Sequence, residues 1–124
     1  MSQSGKIQLL VLITENKEQT AEGHRIFNSH VGWMGKTHHQ SGEKALLNYN
    51  VSWAPELSNP MDPSSAPTGN TNFILAEVYE SMAGVEDHFV QAQESWDNFP
   101  AFVAWVGDCK STVVPAAVIG HSLW

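Results

Sequence analysis

EVYESMAGVEDHF, residues 77–89, changes its period halfway along. Upstream of Ser81 the apolar residues alternate: in TNFILAEVYE (71–80), Phe73, Leu75, Glu77 and Tyr79 share one side, as they would on a strand. Downstream the spacing becomes helical, and Val85, Phe89, Ala92 and Trp96 form one stripe. The segment therefore reads as a strand running directly into a helix. It carries Glu77, Tyr79 and His88 across that joint.

The rest of the chain extends the same reading in both directions. KIQLLVLIT (6–14) is a first strand. Residues 20–38 form an amphipathic helix at about 100° per residue, with Ile26, Phe27, His30, Val31, Trp33, Met34 and His24 in one arc. ALLNYNVSW (45–53) alternates as a second strand, with Ala45, Leu47, Tyr49, Val51 and Trp53 opposite Leu46, Asn48, Asn50 and Ser52. After the helix that contains His88, Asp97-Asn98-Phe99-Pro100 reads as a break and a new helical start, a cap residue just ahead of a first-turn proline. A helical piece over 100–109 follows, then a last strand, TVVPAAVI (112–119). Pro115 removes a ladder donor and so predicts an edge position or a bulge. Between the second and third strands, residues 54–70 hold four of the six prolines and read as a long loop, an arm or a lid.

The order βαββαβ predicts a ferredoxin-like α+β fold: a four-stranded antiparallel sheet with helices on one face, one domain over 1–124. Both faces of the first and last strands are apolar. Ile7, Leu9, Val11 and Ile13 oppose Leu10 and Leu12; Val113, Ala117 and Ile119 oppose Val114, Ala116 and Val118. Helices cover one face only, and monomers rarely expose large apolar patches. The expected remedy is a homodimer packed sheet to sheet about a two-fold axis.

Composition narrows the function classes. Thirteen acidic residues against six Lys+Arg give a net charge of −7 with no basic stripe, so nucleic acid is not an expected partner. No stretch is long and apolar enough to predict a membrane span, and a single cysteine, Cys109, permits no intrachain disulfide; both fit a cytoplasmic protein. Nucleotide-loop, nucleophile-elbow and zinc-protease motifs are absent, so no cofactor is expected. No metal site is expected either: His24 and His30 do not converge on a helix, and the adjacent His38 and His39 diverge.

Two histidines stand out. His30 lies in the middle of the apolar arc of the first helix, where a buried imidazole needs a hydrogen-bond partner; Asn48, Asn50 or Glu77 would supply it if they face the helices. His88 lies at the edge of its stripe, placed to reach a pocket mouth. Glu77, between apolar neighbours, needs a partner or a raised pKa. Ordinary core packing is the competing explanation for each of these residues, as it is for the five tryptophans.

Glu77-Val-Tyr79-Glu80-Ser81, followed by His88 and by Phe99-Pro-Ala-Phe102, resembles the dimeric α/β-barrel superfamily, and within it the antibiotic-biosynthesis-monooxygenase-like branch. The chain departs from that pattern in the extra AQESWDN after the histidine helix begins and in the long 54–70 segment. The resemblance implies a pocket between helices and sheet and a small hydrophobic, aromatic or polyketide-like molecule bound in it. It implies a cofactor-independent monooxygenase-like enzyme with His30 or His88 as the base. Phe27, Met34, Asn48, Asn50, Trp53, Tyr79 and Trp96 would line the substrate. The alternative is a non-catalytic binder of an apolar ligand such as a fatty acid, and a third reading is an interaction module whose dimer is its whole function.

Overall fold

The computed structural model describes residues 2–124. The elements run β1 (Ile7–Glu15), α1 (Thr20–Thr37), β2 (Leu46–Leu57), β3 (Pro67–Tyr79), α2 (Met82–Ser95), α3 (Phe99–Asp108) and β4 (Lys110–Val118). The strands form one antiparallel sheet in the order β2-β3-β1-β4. This is the ferredoxin-like arrangement, with its second helical region split in two.

Period explains which face is covered. Ile7, Leu9, Val11 and Ile13 of β1, with Phe73, Leu75 and Tyr79 of β3, point to the helices and are buried. Against them pack Ile26, Phe27, Trp33 and Met34 of α1, Val85 and Ala92 of α2, and Trp105 of α3. Val31, expected in the buried arc, is instead half exposed at the edge of α1.

β3 hands over to α2 within two residues. Ser81 is the N-cap: its hydroxyl oxygen accepts from the Ala83 amide at 3.3 Å and donates to the Glu43 carbonyl at 2.7 Å. At the α2–α3 break Asn98 takes the cap position, but its side chain makes no cap bond. It donates instead to Ser29 Oγ (2.8 Å) and accepts from Arg25, tying the break to α1.

Two local features shape the sheet. The register of β1 against β4 shifts between Gln8 and Leu10, opposite the stretch that contains Pro115, and β4 is an edge strand. Pro115 therefore has both an edge position and a neighbouring bulge. The stretch 54–70, expected as a loop, is strand at its two ends and a connection in its middle. β2 continues to Leu57 and β3 begins at Pro67, leaving a connection only over 58–66, closed by Ser58 N–H to the Ala66 carbonyl (2.8 Å). A register shift between Pro55 and Leu57 absorbs the prolines, and Gly69 supplies the left-handed backbone (φ +101°) there. β1 pairs β3 only as far as Thr71, so the outer part of the β2–β3 hairpin projects past the sheet.

Candidate functional site

β3, α1 and α2 meet where the buried polar residues gather. Glu77, His30 and His88 are the polar groups buried there, at 0%, 3% and 6% exposure. Each follows from local geometry: Glu77 is on the helix-facing side of β3, His30 on the inner arc of α1, and His88 one turn past Gly84, where α2 lies closest to β3. A Cβ on Gly84 would sit 2.7 Å from the Tyr79 ring and 3.0 Å from the Lys44 carbonyl oxygen.

Hydrogen bonds tie these groups into three separate sets that lie side by side. The Tyr79 hydroxyl donates to Glu77 Oε1 at 2.5 Å, while Glu77 Oε2 has no partner. His30 Nδ1 lies 2.7 Å from the Tyr49 hydroxyl. His88 Nδ1 is 2.9 Å from His38 Nε2 and 3.8 Å from Glu77 Oε1. His38 Nδ1 lies 2.9 Å from Thr37 Oγ1, which is itself 2.8 Å from the Trp33 carbonyl. Two indoles close the aromatic side: Trp96 donates to Ser29 Oγ (2.9 Å) and Trp33 to Ser95 Oγ (3.0 Å), with their rings stacked at 5.6 Å.

Burial sets the protonation states. It pushes His30 and His88 down to about 3, with the neighbouring histidines adding repulsion, and in His88 Asp87 partly opposing it. Both imidazoles are neutral at physiological pH. Burial pushes Glu77 up to about 7, against the lowering effect of the Tyr79 hydrogen bond. His38, half-buried nearer the surface, is also lowered by burial, and Asp87 opposes the shift.

His30 and His88 open onto an apolar cavity of about 60 Å³. Its floor is Leu9, Val11 and Leu75 of the sheet; Phe89, Trp96 and Phe102 form its walls. Among the described residues the two histidines are its only ionisable lining groups. The space exceeds what a single water needs.

Of the residues proposed from sequence, His30, His88 and Trp96 share this cavity. Tyr79 lies behind it, bonded to Glu77. Phe27 is core, stacked on Phe73. Met34 is buried beside a groove containing His38 and Tyr49. Trp53 is exposed along the α1–β2 edge. Asn48 and Asn50 correct the expectation: both are exposed, they hydrogen-bond each other at 2.8 Å, and neither lines the cavity. The register of β2 turns Tyr49 inward, opposite Glu77, and so the partner of His30 is a phenol rather than an amide.

Three of these hydrogen-bonded residues carry no site signal in the sequence. Tyr49 reads there only as an apolar-face residue. Thr37 and His38 lie at the C-terminus of α1, where the backbone turns extended at His38 and redirects its ring inward. A helical wheel carries no signal for that.

One donor atom each from His30, Glu77 and His88 lies within 4.8 Å of the other two, so these residues could hold a metal ion. The separation in sequence hid this grouping. Both Nδ1 atoms and Glu77 Oε1 are already engaged in hydrogen bonds, and an ion there would have to break them or use the remaining atoms.

No family model matches the chain, and no curated protein matches it. Among solved structures it is similar to a dimeric ferredoxin-like protein from an uncultured marine organism, with 10% identity, 95% of this chain and 99% of that one covered, and a TM-score of 0.60. That likeness establishes the ferredoxin-like fold. Among the described residues no helix is long and apolar enough to cross a membrane.

Proposed function

We propose that this protein is a homodimeric α/β barrel whose protomers bind a small hydrophobic, aromatic molecule and oxidise it with O2 as a cofactor-independent monooxygenase-like enzyme. The observation that carries the reading is His88 Nε2. It has no hydrogen-bond partner among the described residues, and its ring lines a cavity whose only other ionisable lining group is His30. A bare imidazole nitrogen facing an apolar space is placed to take a proton from a bound molecule, although burial, which holds His88 at about 3, makes the ring alone a weak base.

The dimer is supported by the sheet face away from the helices. Leu12, Ile74 and Val114 are 37%, 37% and 38% exposed at its centre and lie on three adjacent strands. The solved neighbour is described as dimeric, and the 77–102 motifs resemble the antibiotic-biosynthesis-monooxygenase-like branch.

In the chemistry proposed, His88 removes a proton from an activated methylene of the substrate. The carbanion adds to O2, and the peroxide anion regains a proton. The hydroperoxide then loses water by breaking its O–O and C–H bonds. In sum, the methylene and one O2 become a ketone carbonyl and one water, with no external electron donor. Trp96, 4.8 Å from the His30 ring, would hold the aromatic substrate by stacking.

The test is native mass spectrometry followed by O2 uptake. A dimer that consumes O2 with a small apolar compound bearing an acidic methylene, and stops on His88→Ala, supports the reading. A dimer that quenches tryptophan fluorescence with apolar ligands yet shows no O2 uptake makes it a binder. A monomer removes the barrel.

A further inference from the structure

The hydrogen bonds around His38 assign the proton positions of both rings. The Trp33 carbonyl can only accept, so the single hydroxyl proton of Thr37, 2.8 Å away, is directed to it. Thr37 Oγ1 is then an acceptor for its other neighbour, and His38 Nδ1 carries the proton between them at 2.9 Å. In a neutral ring Nε2 is then bare, so the contact at 2.9 Å is made by His88 Nδ1–H donating to it. His88 Nε2 is left as a lone pair on the cavity wall. One threonine at the end of α1 thus sets the tautomer of a buried ring on another helix.

We propose that His88 and His38 form a proton wire from the cavity to the surface, with Thr37 as its positioning residue and His38 as its terminal acceptor. As His88 Nε2 takes a proton from the bound molecule, the Nδ1 proton passes to His38 Nε2. The bound molecule becomes an anion, His88 stays neutral in the opposite tautomer, and His38 becomes the imidazolium. This deepens the base role assigned to His88 above and rests on that reading for its substrate.

The wire removes a difficulty of that role. A cation on His88 would be buried at 6% exposure. Transferred to His38, the charge is half-buried and close to solvent. The groups facing the pair are Asp87 and Tyr79 with Glu77 on one side, His39 beside His38, and the neutral His30 ring 6.1 Å from His88. Asp87 also has Lys44 at 3.7 Å and His39 at 3.8 Å, so its carboxylate is the anion that offsets a charged His38.

Long-range proton–nitrogen correlation NMR of the 15N-histidine-labelled protein tests the wire without any substrate. At neutral pH both His38 and His88 should be neutral with the proton on Nδ1, the less common tautomer. On acidification His38 should become the imidazolium, and in the same step His88 should switch to the neutral Nε2–H form. An Nε2–H on either ring at neutral pH overturns the proposal, as does protonation of His38 without the switch in His88.

His38→Gln, whose amide oxygen still accepts from His88, should hold the Nδ1–H tautomer and abolish the switch. Thr37→Val should release it. In turnover, His38→Gln should lower kcat about a hundredfold with KM unchanged, in the range of one proton-transfer group. Correct tautomers and a correct switch without turnover would defeat the oxygenase reading and leave the wire standing; turnover with wrong tautomers would do the opposite.

Discussion

Tyr79 and Glu77 are two residues apart on the same face of β3, and the phenol donates to the carboxyl oxygen Oε1 at 2.5 Å where both side chains are fully buried. Alternation puts i and i+2 side by side, so the strand itself supplies the partner that a buried carboxyl requires. The other oxygen, Oε2, remains unpartnered, and the phenol is the only side-chain hydrogen bond that Glu77 has among the described residues.

Tyr79→Phe removes that donor and leaves both oxygens unsatisfied in the core. It should lower stability by about 1–3 kcal/mol and raise the Glu77 pKa above its value of about 7, because the lost hydrogen bond was holding it down. Urea denaturation measures the first effect. Carbonyl-labelled glutamate NMR measures the second.

The pH dependence of stability should show two opposed contributions. Glu77 and Glu15 are both pushed up to about 7 by burial. The folded state therefore binds their protons more tightly than the unfolded chain, and their effect is a loss of stability as pH rises from about 4.5 through 7. His30 and His88, held at about 3, do the reverse: stability is lost as pH falls from about 6.5 through 3. The wild type should be nearly flat between pH 5 and 6.5 and fall steeply below 4.5. Glu15→Gln, remote from the site, should gain stability at pH 8 and turn the flat region into a slope that falls with acid. Thermal melts across pH 3–9 check this, and a Glu15→Gln curve parallel to the wild type would contradict it.

Gly84 lets α2 rest on β3. Gly84→Ala places a methyl group 2.7 Å from the Tyr79 ring and 3.0 Å from the Lys44 carbonyl oxygen, and the backbone side of that clash has no rotamer to escape through. The variant should lose about 1–3 kcal/mol, measured by denaturation. Near-ultraviolet dichroism should report displaced aromatic rings.

The sheet face proposed as the dimer contact predicts its own disruption. Leu12→Arg places an unpaired charge at the centre of a buried apolar contact and should weaken association by about 3 kcal/mol or more, over a hundredfold in Kd. Light scattering after size exclusion should show a dimer for wild type and a monomer for the variant, with the far-ultraviolet spectrum unchanged because Leu12 is already partly exposed in the protomer.

The elements were readable because each obeys a local rule. Alternation marked β1 and β3, a 3.6-residue period marked α1 and α2, and Asn98-Phe99-Pro100 marked the start of α3. The 54–70 stretch misled because prolines argue against a central strand. Here Pro55 and Pro67 sit where β2 and β3 pair as a projecting hairpin, accommodated by a register shift with Gly69, while Pro60 and Pro63 lie in the 58–66 connection.

Period and turn chemistry act over a few residues, and they were enough to dictate the order of elements, the ferredoxin-like topology and the inward face of His30, while His88, read at the edge of its stripe, is buried. What surrounds those histidines was settled by tertiary packing. The inward turn of Tyr49 depends on the register of β2 against β3, and the approach of His38 to His88 depends on how the end of α1 meets α2, fifty residues away. Such contacts are set by packing between elements, and no spacing within one element encodes them.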